Sequence, residues 1–271
     1  MNYRSLYQNQ GFLTGVEILG QREAARHRRI LEDAENSIGA LHYKSKIHTI
    51  LRSPYKLSAH PKVLDIVEQL IGHNILLYDV AYIIKEPRSE SHFSWHQDLT
   101  YWGLGETDDE ITAWLALSEV NVESGCMRFL PGSHQQRLLP HRDTFDETNL
   151  LSRGQQIEVE VDEDDAVDVL LHPGQVSLHH GRLFHASGPN LSDHDRIGLV
   201  FRFLTPGVRQ LVSKRDYAMQ VRGIDSQGNW IHVAPPTRNC APADLALHAR
   251  IKEDQSAALA EGAAQKLHAA Y

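Results

Sequence analysis

Between residues 20 and 38 apolar side chains recur every three or four positions. Ala24, Ala25, Ile30, Leu31, Ala34 and Ile38 fall among Arg, Glu and Asp, and that spacing predicts an amphipathic helix. Residues 61–71 repeat the signal, with Pro61 suited to a first helical turn and Gly72 to a stop. From Asn74 the pattern changes. Residues 75–84 are rich in β-branched and aromatic side chains, and strand-like runs recur at 111–120, 175–180 and 196–204. Turn signals separate them: Glu123-Ser124-Gly125, Pro131-Gly132-Ser133 and His172-Pro173-Gly174. Residues 241–270 are alanine-rich and predict a closing helix, and Asp162-Glu163-Asp164-Asp165 reads as a solvated acidic loop. This order predicts a single domain over residues 1–271: N-terminal helices to about residue 73, a sandwich- or barrel-like β core over about 74–210, and a C-terminal extension over about 211–271.

The chain has 271 residues and a formal charge of −8, with the acidic excess spread along it. That charge argues against a nucleic-acid or anionic-membrane surface. Cys126 and Cys240 lack metal-type pair spacing and read as free thiols in a reducing compartment. The N-terminus, Met1-Asn2-Tyr3-Arg4-Ser5, carries no signal-peptide pattern. No run approaches the roughly 20 apolar residues of a membrane span. A cytoplasmic location is expected.

The chemistry gathers first in Phe93-Ser94-Trp95-His96-Gln97-Asp98-Leu99-Thr100-Tyr101-Trp102, which reads as extended. Alternate residues of extended chain leave the backbone on one side, so His96 and Asp98 project together. Two such ligands and a distant histidine would make a facial triad with open metal positions, the arrangement of non-haem Fe(II) and O2 chemistry. His185 is the candidate third ligand, in competition with His134, His141, His172, His179 and His180. Its neighbourhood favours it. In residues 196–203, period-two reading puts Ile197, Leu199, Phe201 and Phe203 on one face and Arg196, Gly198, Val200 and Arg202 on the other. Two arginines on an apolar strand need an anion, and a guanidinium fork fits a carboxylate. Either the strand holds an anionic ligand beside the metal, or the arginines form buried salt bridges with acidic residues. Trp114 points away from the apolar face of Ile111, Ala113, Leu115 and Leu117. It packs in the core or donates its indole N–H to a ligand carboxylate. Lys85 reads as a solvated strand-end lysine or as a second charge in the pocket.

Three segments carry a resemblance: Trp95-His96-Gln97-Asp98; Glu123-Ser124-Gly125-Cys126-Met127-Arg128-Phe129-Leu130-Pro131-Gly132-Ser133-His134; and Phe184-His185-Ala186-Ser187-Gly188-Pro189-Asn190 with Arg196 beyond it. Together, in this order, they resemble the phytanoyl-CoA dioxygenase superfamily over roughly residues 75–210. The resemblance implies a mainly β fold with flanking helices around a double-stranded β-helix (jelly-roll, cupin-like) core. It implies an enzyme using Fe(II), 2-oxoglutarate and O2, with His96, Asp98 and His185 as iron ligands. Arg196 would salt-bridge the far carboxylate of 2-oxoglutarate, with Ser187 and Trp114 lining the same pocket. Asn190 would hold the turn after the ligand, and Pro131-Gly132-Ser133-His134 would shape the pocket wall. Halogenating relatives lack the carboxylate ligand; Asp98 points instead to hydroxylation or another oxidation.

A small, polar metabolite is the expected substrate. Tyr101, Trp102, Arg202 and Lys85 are candidate contacts, as is Arg128. Tyr101 and Trp102 face a cation or an apolar chain, or pack in the core. The competing readings are a non-catalytic metal- or ligand-binding β-helix protein, a zinc hydrolase on the same residues, and an oxygenase acting on a larger lipid or acyl-CoA.

Overall fold

The computed structural model describes residues 2–151, 154–212 and 216–268. Five helices are described: α1 (Tyr3–Gln10), α2 (Gln21–Ile38), α3 (Arg52–Ser58), α4 (Pro61–Ile71) and α5 (Pro242–His268). The strands are β1 (Phe12–Glu17), β2 (Ile75–Lys85), β3 (Phe93–His96), β4 (Glu110–Ala116), β5 (Met127–Phe129), β6 (His141–Arg142) and β7 (Gln156–Ile157). They continue with β8 (Val167–Val169), β9 (Gln175–His179), β10 (His185–Ser187), β11 (Arg196–Leu204), β12 (Asp216–Arg222) and β13 (Trp230–His232).

A major sheet runs in the order β1-β9-β4-β11-β2-β12-β13, and a minor sheet in the order β3-β10-β5-β8. Pairing is antiparallel except between β12 and β13. The two faces of the major sheet bury different partners. Ile111, Ala113, Leu115, Ile197, Leu199, Phe201 and Phe203 pack with Leu31 of α2 and with Val63 and Val67 of α4. The opposite face, with Ile83, Trp114 and Val200, packs on Met127, Phe129 and Val169 of the minor sheet. The period-two pattern therefore separates a helix-covered face from the face that encloses the site.

The predicted helices form for the expected reasons. Pro61 begins α4, the His60 ring accepts from the Lys62 amide at 3.2 Å, and Gly72 caps the end. The tail is helical through His268; residues 269 and 270 lie outside the described residues. No helix among the described residues is long and apolar enough to cross a membrane.

The sheet extends past the expected core at both ends. β1 lies in the stretch read as helical and pairs with β9. β12 and β13 lie in the stretch read as an extension, and β12 pairs with β2. β1 and β13 are the edges of the major sheet and β12 joins β13 to it, so neighbours rather than local pattern decide all three. The extended reading of 93–102 ends early: β3 stops at His96, Gln97 keeps extended dihedrals, and Asp98–Thr100 form a 3-10 turn.

Gly198 of β11 faces Trp114 so closely that an added Cβ would lie 1.9 Å from the indole. Gly198→Ala should overpack this layer and destabilise by about 2 kcal/mol. The expected result is a melting temperature lower by roughly 4–8 °C, read by circular dichroism. An unchanged melting temperature would show that Trp114 is free to move aside.

Candidate metal centre and its anion pocket

The minor sheet brings two distant histidines face to face. His96 ends β3, His185 begins β10, and the two are register partners, with ring centres 4.0 Å apart. The turn after Gln97 swings Asp98 beneath them. Its Oδ1 lies 3.7 Å from His96 Nε2 and 3.8 Å from His185 Nε2. All three residues are buried, and their donor atoms lie within 4.8 Å of one another.

The tautomers follow from backbone contacts. His96 Nδ1 lies 2.8 Å from the Ser94 carbonyl, and His185 Nδ1 lies 3.0 Å from the Leu183 carbonyl. A carbonyl only accepts, so each Nδ1 donates its proton there and each Nε2 is the nitrogen turned inward toward Asp98. Burial, with His96 and His179 nearby, pushes the His185 imidazolium well below its usual range, so this ring stays neutral. Burial alone would raise the Asp98 carboxyl. The His179 and His96 rings set against its oxygens, with Arg202 nearby, outweigh it and hold Asp98 well below the usual carboxylate range. The Asp98 carboxylate, the neutral His185 ring and the inward-turned Nε2 of His96 are the donor types that a divalent ion takes.

Beside the centre lie two buried basic side chains. Arg196 and Lys85 are cross-strand partners on β11 and β2, each 1% exposed. Arg196 Nη1 donates to the Gly125 carbonyl at 2.5 Å and to Ser187 Oγ at 2.8 Å, while its Nε has no partner. Its guanidinium sits 5.4 Å from the centre of the Trp114 ring. Lys85 Nζ donates to Ser187 Oγ at 2.7 Å, and to the carbonyls of Ser187 and Gly188. No carboxylate pairs with either cation among the described residues. Burial, reinforced by Arg196, pushes the Lys85 ammonium down to about 6; burial lowers Arg196 to about 10. Lys85 is thus a buried pocket charge and not a solvated strand-end lysine.

The other arginine behaves differently. Arg202 Nη1 donates to Asp79 Oδ2 at 2.7 Å, so the salt-bridge reading holds for Arg202 and not for Arg196. Asp79 also accepts from the Lys46 amide at 2.6 Å. The Trp102 ring lies 5.0 Å from the Arg202 guanidinium and packs in a small core with Tyr78, Leu204 and Trp230. Tyr101 sits edge-on to His96 at 6.1 Å. Arg128 points out of the pocket. It pairs with Asp168 at 3.4 Å and with Glu163, in the acidic loop.

Two segments read as structural make the following contacts. Asn190 donates to the carbonyls of Lys85, Glu86 and His194 and accepts from Ser192, closing the turn after β10. Ser133 accepts from the Phe184 amide at 2.8 Å, and His134 lies 3.1 Å from the Gln8 carbonyl, away from the metal centre.

Sequence reading missed four contributors. Thr112 donates to Asp98 Oδ2 at 2.9 Å. His179 lies 3.5 Å from the same oxygen. Gln97, fully buried, donates to the carbonyls of Arg137 and Arg182 and accepts from the Leu139 amide, tying down the link between His96 and Asp98. Tyr43, in the left-handed region at φ 60°, is 45% exposed and stacks on Phe93, which in turn stacks on His96. His179 was visible as a competing histidine; nothing local marks the other three.

Two histidines and a carboxylate thus converge beside two buried basic side chains in a two-sheet β fold flanked by helices. The model of the family "Phytanoyl-CoA dioxygenase (PhyH)" matches residues 17–198, and the chain belongs to that family. It is 34% identical over 164 residues to a probable alpha-ketoglutarate-dependent hypophosphite dioxygenase of Stutzerimonas stutzeri, covering 58% of this chain and 54% of that one. The chain thus spans about half the length of this relative. Among solved structures, the apo non-heme monooxygenase ThoJ is 30% identical with a TM-score of 0.86, covering 97% of this chain and 99% of that one. A nickel complex of ThoJ is 27% identical with a TM-score of 0.79, covering 96% and 99%.

Asp98→Ala and His185→Ala each remove one converging donor. Either should weaken Co(II) binding by more than the roughly 100-fold that loss of an outer-shell partner costs. Competition titration with a chromophoric chelator measures this, and wild-type affinity in either variant would remove that residue from the centre.

Proposed function

We propose that this protein is an Fe(II)- and 2-oxoglutarate-dependent dioxygenase that hydroxylates an aliphatic C–H bond of a small, polar molecule and releases succinate and CO2. One observation carries the reading. The His96-Asp98-His185 set lies beside two buried basic side chains, Arg196 and Lys85, that have no counter-charge of their own. A buried charge requires an anion, and a diacid that also binds a metal answers both halves of the site.

His96, Asp98 and His185 would hold the iron and leave positions open. When bound, the iron and keto acid supply O2 activation coupled to oxidative decarboxylation. The rest is the work of the chain. Ser187 lies two residues beyond His185 on β10, roughly 7 Å along the strand, a distance that a five-carbon keto diacid bridges. Arg196 and Lys85 would grip its far carboxylate, oriented by Ser187 Oγ, with Trp114 as wall. The low dielectric around these groups strengthens the pairing and keeps water from the reacting centre. For the substrate, Tyr101, edge-on to His96, would border the centre with Arg202 and Tyr43, while Trp102 packs against Arg202. Because Asp79 balances Arg202, this wall is polar without a large net charge and suits a small polar molecule.

Succinate released on incubation with Fe(II), 2-oxoglutarate, O2 and metabolite extract tests the activity. An anaerobic Fe(II)–2-oxoglutarate charge-transfer band should appear. A binding protein would release no succinate with any extract, and a zinc hydrolase would show no band. Arg196→Ala should raise the 2-oxoglutarate requirement by about two orders of magnitude while metal affinity holds.

Lys85 adds a pH signature. With the pocket empty its pKa of about 6 leaves it mostly neutral at pH 8. An arriving carboxylate favours the ammonium, so binding takes up a proton and strengthens as pH falls toward 6. In the nickel-loaded protein, 2-oxoglutarate affinity should weaken by more than about tenfold from pH 6 to pH 8. Lys85→Met should flatten that slope in calorimetry.

A further inference from the structure

His179 ends β9, opposite Thr112 of β4 on one side and Phe12 of β1 on the other. It is 1% exposed, and neither ring nitrogen makes a hydrogen bond of ordinary geometry. An imidazole with both nitrogens idle is costly to bury, and a leucine would pack there without that cost. What surrounds the ring gives it a use. Its Nε2 lies 3.5 Å from Asp98 Oδ2, and its ring centre lies 4.7 Å from His185 and 5.0 Å from Phe129.

The two oxygens of Asp98 face different neighbours. Oδ1 faces His96 and His185, at 3.7 Å and 3.8 Å. Oδ2 faces the Thr112 hydroxyl at 2.9 Å and His179. A carboxylate that gave both oxygens to one ion would occupy a position needed by a chelating keto acid and O2. Donors that hold Oδ2 keep that position open, and outer-shell partners of this kind orient ligating carboxylates.

We propose that His179 is a positioning residue of the metal centre: its Nε2–H donates to Asp98 Oδ2 and, with Thr112, confines this carboxylate to binding through one oxygen. The inference rests on the metal-centre reading above. It differs from a packing role in requiring the N–H and not merely the ring volume.

The test compares wild type, His179→Leu and His179→Gln, using Co(II) alone as the probe. His179→Leu removes the donor at similar volume, and His179→Gln restores an N–H. Three quantities are read: Co(II) affinity by competition, the visible absorption of the bound Co(II), and the melting temperature of the metal-free protein. The expected result is 10–100-fold weaker Co(II) binding and an altered band in His179→Leu, with His179→Gln recovering to within about threefold. Metal-free melting temperatures should stay close to wild type. Wild-type affinity and spectrum in His179→Leu would overturn the proposal, as would a folded His179→Gln that matches His179→Leu. Should His179→Leu not fold, His179→Phe serves as the donor-free variant. A wild-type protein that binds no Co(II) would overturn the metal-centre reading itself.

Discussion

The site depends on one register. β3 and β10 pair so that His96 stands directly across from His185. Side chains alternate faces along a strand, so a slip of one residue would turn one ring to the far side and dissolve the centre. Several contacts hold that register. β10 also pairs with β5, Ser133 takes the Phe184 amide just before His185, and Gln97 fastens the chain just after His96. These contacts lie on the minor sheet or at its margins, where strands are three or four residues long and hold little of their own pairing energy. The major sheet behind them is longer and covered by helices, and it supplies the rigidity that the short strands lack.

Much of this was legible in the chain. The alternation in residues 196–203 placed Arg196 and Arg202 on the inner face, and His-x-Asp with a later histidine anticipated the convergence of ligands. The fates of the two arginines were not legible. Arg202 meets Asp79 because β2 runs beside β11 in a register that pairs the two residues, whereas the same pairing sets Lys85 against Arg196. Register between distant strands is set by packing and turn geometry, not by local composition, so one arginine became a structural ion pair and the other kept an open valence. The same limit hid Thr112 and Tyr43, ordinary residues brought to the site by their neighbours. It also explains β1, β12 and β13, which become strands because a neighbouring strand is available.

Charge is arranged in two registers of cost. Around Arg202 the buried ions are balanced: Asp79 takes Arg202 and the Lys46 amide, and Lys46 lies 3.8 Å from Asp216. This network joins the inner wall of the site to β12 and stiffens it without leaving an unmet demand. Around Arg196 the ions are unbalanced, and hydroxyl and carbonyl oxygens give partial relief. The contrast marks which part of the interior is scaffold and which part awaits a ligand.

The unbalanced pair reaches beyond catalysis. Arg196 over Trp114 and Lys85 over Phe93 are buried without a counter-charge, and burial, reinforced by Arg196, lowers the Lys85 ammonium to about 6. Whatever dianion settles there repairs the fold as well as equipping it, because a ligand bound only by the native state shifts unfolding by mass action. If the ligand is the proposed keto diacid, the protein's resistance to unfolding would rise with the concentration of that acid.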